Sequence, residues 1–139
     1  MKRAYLSIII LYFAQGIIHN LGHPVTPAFV RSLEIPDRMF GFFYATMSFG
    51  LMVGAPIWGI IADKGKKSLI MALGLIIYSI GQFGFGYSGN MYWMVFFRFL
   101  SGFGVAASMT LFVSHMIEVS KPENRAKRLA WLAAGLALG

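Results

Sequence analysis

The sequence predicts an all-α, polytopic helical membrane protein, and three observations carry that prediction. Hydrophobic residues make up 58% of the 139-residue chain and charged residues only 12%, with a mean hydropathy of +0.68. A soluble domain carries charge on about a quarter of its residues. Apolar runs of about 20 residues recur, which is the length that crosses a bilayer's hydrocarbon. These runs lack the two-residue alternation of barrel strands, and only helices and closed barrels satisfy the backbone's hydrogen bonds in lipid.

The first run covers residues 4–23, and Pro24 and Pro27 are expected to end its helix. The second covers 39–61 and contains Pro56, expected to kink it; the third covers 68–87 and the fourth 91–114. A fifth begins at 129 and reaches only 139. As a helix that segment rises about 16 Å against a core of about 30 Å. The chain therefore reads as one membrane domain, residues 1–139, made of helices one to four and the start of a fifth. It is expected to be a fragment of a longer chain; the other reading of the last segment is a short interfacial helix. Ala14-Gln15-Gly16 also resembles a signal-peptide cleavage site, but the apolar run continues past it and three more follow. The chain has no cysteine, which excludes disulfides and thiolate metal sites.

A formal charge of +7 would point to nucleic acid in a soluble protein, but its distribution does not. Lys2, Arg3, Lys64, Lys66, Lys67, Lys121, Arg125, Lys127 and Arg128 fall on one side of the runs, and only Arg31 and Arg38 on the other. Glu34 and Asp37 balance those two. Bases gather on the cytoplasmic side, so the N-terminus is expected in the cytoplasm and no nucleic-acid partner is called for. Tyr87, Tyr92 and Trp93 at outer run ends, with Trp58 and Trp131 at inner ones, fit interfacial aromatic belts.

In the first helix Tyr12, Gln15, His19, His23 and Thr26 project within about 80° of one another. Such a stripe must face other helices or a water-filled cavity, because lipid cannot satisfy it. His19 and His23 lie a turn apart and change charge near neutral pH. Two such ligands without a third are weak grounds for a metal site, so no metal or cofactor is assigned. The other reading is hydrogen-bonded packing near the outer interface. His115 reads as an interfacial side chain. No Asp or Glu lies inside the four spans, and no Walker loop, paired catalytic acids or nucleophile elbow occurs, so no enzyme activity is expected.

Two stretches carry more specific information. "GIIADKGKK", residues 59–67, ends the second run with Asp63 among Lys64, Lys66 and Lys67. Lysines suit a helix C-terminus, whereas an acid there opposes the dipole. "RFLSGFGVAAS", residues 98–108, places Arg98 about 10 Å inside the fourth run. Helical spacing sets Ser101, Gly102 and Val105 on the face of Arg98, and the small-residue steps Gly102/Ala106 and Gly104/Ser108 permit close helix approach. A charge at that depth normally faces the bundle interior; the alternative is an arginine that snorkels to the outer headgroups.

These stretches resemble the signatures of the major facilitator superfamily of secondary transporters. Gly59, Ala62, Asp63, Lys64, Gly65, Lys66 and Lys67 follow the family's loop motif with one position deleted between Lys64 and Gly65. Arg98 and Gly102 follow its fourth-helix motif, and "GAPIWG" at 54–59 also looks like its second helix. Glu118, in "HMIEVSKPENRAKRLAW", matches an acidic position that family members often pair with the loop bases. The resemblance implies a gating charge network of Gly59, Asp63, Lys64, Gly65, Lys66, Lys67 and Glu118 that favours the outward-open state. It further implies a first helix lining the central cavity, with Tyr12, Gln15, His19 and His23 as substrate-contact candidates.

The signature set is most similar to the drug–proton antiporters. The expected function is proton-coupled efflux of small molecules by alternating access, in a plasma or inner membrane, with this chain as a non-autonomous N-terminal part. Its expected partners are the bilayer, a small-molecule substrate, protons and the missing C-terminal half. A solute importer of the same family, or a small four-helix membrane protein working as an oligomer, are the alternatives.

Overall fold

The computed structural model describes residues 2–138, within which the side chains of 2–5, 7, 8, 21–24, 136 and 138 lie outside the description. The described residues form five α-helices and no strand. They are α1 (Lys2–Ser32), α2 (Arg38–Lys64), α3 (Lys67–Tyr87), α4 (Met91–Val119) and α5 (Arg125–Leu138), with a 3₁₀ turn at Pro122–Asn124 leading into α5. Among the described residues α2, α3 and α4 are long and apolar enough to cross a membrane. The all-helical membrane architecture is therefore that of the protein.

Helix ends differ from expectation. α1 does not stop at Pro24 but runs through Pro27 to Ser32. Proline removes one N–H, yet membrane helices tolerate it where neighbouring groups satisfy the freed carbonyl. A Schellman cap ends α1 instead. The N–H of Ile35 donates to the Val30 carbonyl (3.4 Å) and that of Glu34 to the Arg31 carbonyl (3.1 Å). Glu34 takes the left-handed conformation at φ 56°, Ile35 packs in the cluster around Val30, and Pro36 follows. Farther along, α2 extends to Lys64, α4 to Val119, and α5 begins at Arg125, so Asp63, His115 and Glu118 all lie on helices. At the α3–α4 turn, Asn90 Oδ1 accepts from the Tyr92 N–H (2.9 Å) and caps α4.

The chain packs as two compact units, Met1–Thr26 with Phe112–Gly139, and Pro27–Leu111. In the second unit α4 is the central element, buried nearly throughout from Ser101 to Ser108. Both neighbouring helices meet it through glycines. A Cβ on Gly54 of α2 would sit 2.9 Å from the Phe103 carbonyl oxygen, and one on Gly74 of α3 would sit 2.8 Å from that of Gly104. Without a hydrophobic drive in lipid, such close backbone approach is what lets helices associate. Trp58 adds a cross-helix bond, its Nε1–H donating to the Phe103 carbonyl at 2.8 Å. Trp58 is thus buried against α4 rather than placed in an interfacial belt, while Tyr87, Tyr92, Trp93 and Trp131 are exposed.

In the first unit the Tyr12 ring packs on Phe112 with centroids 5.0 Å apart, and Met116 and Leu132 are fully buried. Arg128 of α5 donates from Nη1 to the Val119 carbonyl (3.3 Å) and to Ser120 Oγ (3.4 Å). That bond serves a carbonyl which the end of α4 leaves without an intrahelical donor.

Candidate functional site

Arg98 is the charged group set deepest in the second unit, with 5% of its surface exposed. Its guanidinium carbon stands 3.8 Å from the centroid of the Phe85 ring on α3, and its Nη1 lies 3.7 Å from the Met47 sulfur on α2. On α3, Gln82 Nε2 donates to Tyr78 Oη at 2.8 Å. The side chain therefore packs inside the helix group rather than reaching outward. Ser101, Gly102 and Val105 are buried on α4 beside it. A Cβ on Gly102 would collide with the Met47 carbonyl. The small face predicted around Arg98 is thus the face on which α2 crosses.

The stripe on α1 lies in the first unit. Tyr12, Gln15 and Thr26 are buried and His19 is half-buried; the His23 side chain lies outside the described residues. Of these side chains, Tyr12 packs within the unit, its ring against Phe112. Among the described residues no group of three His, Cys, Asp or Glu side chains comes together that could hold a metal ion.

The motif turn is short. α2 ends at Lys64 and α3 starts at Lys67, leaving Gly65 and Lys66 between them. Gly65 is extended (φ −125°, ψ 179°), a conformation open to any residue; a Cβ there would come 2.9 Å from the flexible end of Ile70. Asp63, Lys64 and Lys66 are exposed, Lys67 is half-buried in the first turn of α3, and Gly59 has open space beside it. Asp63 sits in the last turn of α2, and Lys66 and Lys67 at the start of α3. Each opposes the dipole of the helix end it occupies. Local helix stability does not account for these charges. Glu118 is exposed in the last turn of α4 and belongs to the first unit.

Sequence reasoning found Arg98 but not Phe85 or Met47, and it did not find Arg128 as the side chain closing the end of α4. A charge inside an apolar run is visible in one dimension; the aromatic and thioether groups that surround it are not.

Comparison with known proteins bears on the whole arrangement. A model of the Major Facilitator Superfamily matches residues 5–139. The quinolone resistance protein NorA of Staphylococcus aureus is 25% identical over 130 residues, covering 94% of this chain and 32% of NorA. The multidrug resistance protein 2 of Bacillus subtilis is 24% identical over 134 residues, covering 96% of this chain and 32% of that protein. The chain spans about a third of the length of these curated relatives. With the family model matched along nearly its whole length, on a framework of membrane-length helices, the chain belongs to the Major Facilitator Superfamily.

Proposed function

We propose that this chain supplies the first helices of a secondary transporter that exports small, drug-like molecules in exchange for protons. Family membership sets it among multi-pass membrane transporters rather than enzymes. The observation that carries the finer reading is similarity, along nearly the whole chain, to proteins named for quinolone and multidrug resistance. In such a transporter two halves rock around a midplane site, and discontinuous or polar helix faces line it. Arg98 is the fixed charge at membrane depth in this proposal. Tyr12, Gln15, His19 and His23 form the α1 side of the substrate path, and Asp63 with Lys64, Lys66, Lys67 and Glu118 forms the cytoplasmic gate. Residues 1–139 act as one membrane domain with the N-terminus in the cytoplasm.

The test is drug accumulation in bacteria that lack their own exporters and express the reading frame encoding this chain, carried to its stop codon. Lowered accumulation of a fluoroquinolone and a cationic dye, restored by a protonophore, is the expected result. Unchanged accumulation of both overturns export, and raised accumulation turns the reading to an importer. Uptake driven by the 139-residue chain alone in proteoliposomes would instead establish the oligomeric four-helix alternative.

A further inference from the structure

The five acidic residues of the chain, Glu34, Asp37, Asp63, Glu118 and Glu123, are all exposed at helix ends or connections. Arg98 is buried among groups of another kind. The Phe85 ring lies under its guanidinium, and Phe85 is itself 5% exposed. Phe43, fully buried on α2, meets Phe85 at 5.4 Å with the ring planes 83° apart, and Phe29 packs against it at 5.8 Å. An aromatic face carries the negative part of the ring quadrupole, and its attraction for a cation grows where water is absent.

We infer that Phe85 is a positioning residue for Arg98. Its ring face holds the guanidinium inside the helix group in place of a carboxylate, and the perpendicular contact with Phe43 fixes the plane of that face. A carboxylate would neutralise the arginine; an aromatic face holds it and leaves the positive charge in force. The bulk of Phe85 is therefore not sufficient. Leucine would fill much of the same space without attracting the cation. Loss of the attraction shifts the balance between a buried guanidinium and one drawn out to the headgroups by on the order of 30-fold.

The inference rests on reading Arg98 as a charge at membrane depth. It does not require that the protein transport anything, so its test uses no substrate. Mono-, di- and trifluorophenylalanine are incorporated at position 85, the protein is placed in lipid nanodiscs, and thermal unfolding is followed. Ring fluorines withdraw electron density stepwise while changing shape little. The expected result is a midpoint that falls with each added fluorine, with Phe85→Trp near the parent and Phe85→Leu at the bottom. In an Arg98→Gln background the gradient disappears, because the cycle isolates the pair. Side-chain NMR of Arg98 gives a second readout: its resonances carry a ring-current shift that Phe85→Leu abolishes. A flat fluorine series overturns the inference. So does a slope that persists with Arg98→Gln, which assigns the effect to the Phe43 contact.

Discussion

Glu34 holds a left-handed backbone angle, φ 56°, at the position after α1 where glycine is the usual occupant. A side chain there costs about 1–2 kcal/mol, part of which glycine returns by its greater freedom in the unfolded chain. Glu34→Gly is accordingly expected to raise stability by about 0.5–1 kcal/mol, read as a higher unfolding midpoint in detergent. A midpoint below the parent's would mean that the carboxylate contributes more than the strain removes. Asp63 poses the opposite case, a residue set against its helix end with no local gain. Asp63→Asn removes an unfavourable dipole interaction and should leave stability unchanged or raise it by ~0.3–1 kcal/mol. Transport by the complete protein should fall at least tenfold if the side chain gates. Equal transport in the variant reduces Asp63 to a solvated acid beside topogenic lysines.

At the scale of helices, the apolar runs at 39–61, 68–87 and 91–114 fall on α2, α3 and α4, whereas α1 continues nine residues past the run at 4–23, because apolar length writes itself into composition. Their ends are less legible. α1 passes both of its prolines because its stop signal is a backbone cap built from Val30, Arg31, Glu34 and Ile35, whose geometry no single residue announces. The surroundings of Arg98 are hidden for a related reason. Phe83 and Phe85 read alike in a run of apolar residues, yet Phe83 is 82% exposed and Phe85 holds the cation. Contacts between helices also separate glycines that look equivalent. Gly102→Val would drive its side chain into the Met47 backbone and should cost roughly 1–3 kcal/mol, because backbone cannot move aside as a side chain can. Gly59→Ala meets nothing within 4 Å and should gain about 0.5–1 kcal/mol from helix propensity alone. Thermal unfolding of both variants decides it, and similar midpoints would refute the crossing of α2 and α4 at Gly102.

For the molecule as a whole, we propose that orientation in the membrane follows from where the bases lie in the sequence. Nine lysines and arginines lie at the N-terminus, in and beside the α2–α3 turn and in and beside the α4–α5 connection, and two, Arg31 and Arg38, flank the α1–α2 connection. Bases are in excess on cytoplasmic loops and acids contribute little to the bias, so an imbalance of this size is the ground for the proposed topology. The chain has no cysteine, so single cysteines report sidedness without background. Lys66→Cys and Asn124→Cys replace exposed residues on the basic side, and Gly89→Cys stands exposed with open space in the α3–α4 turn. A membrane-impermeant thiol reagent applied to intact cells should label the cysteine at position 89 and reach positions 66 and 124 only after permeabilisation. The reversed pattern would place Asp63 and its lysines outside the cell. It would then remove the cytoplasmic gate from the proposal while leaving the buried Arg98–Phe85 pair as it stands, because that pair depends on depth and not on direction.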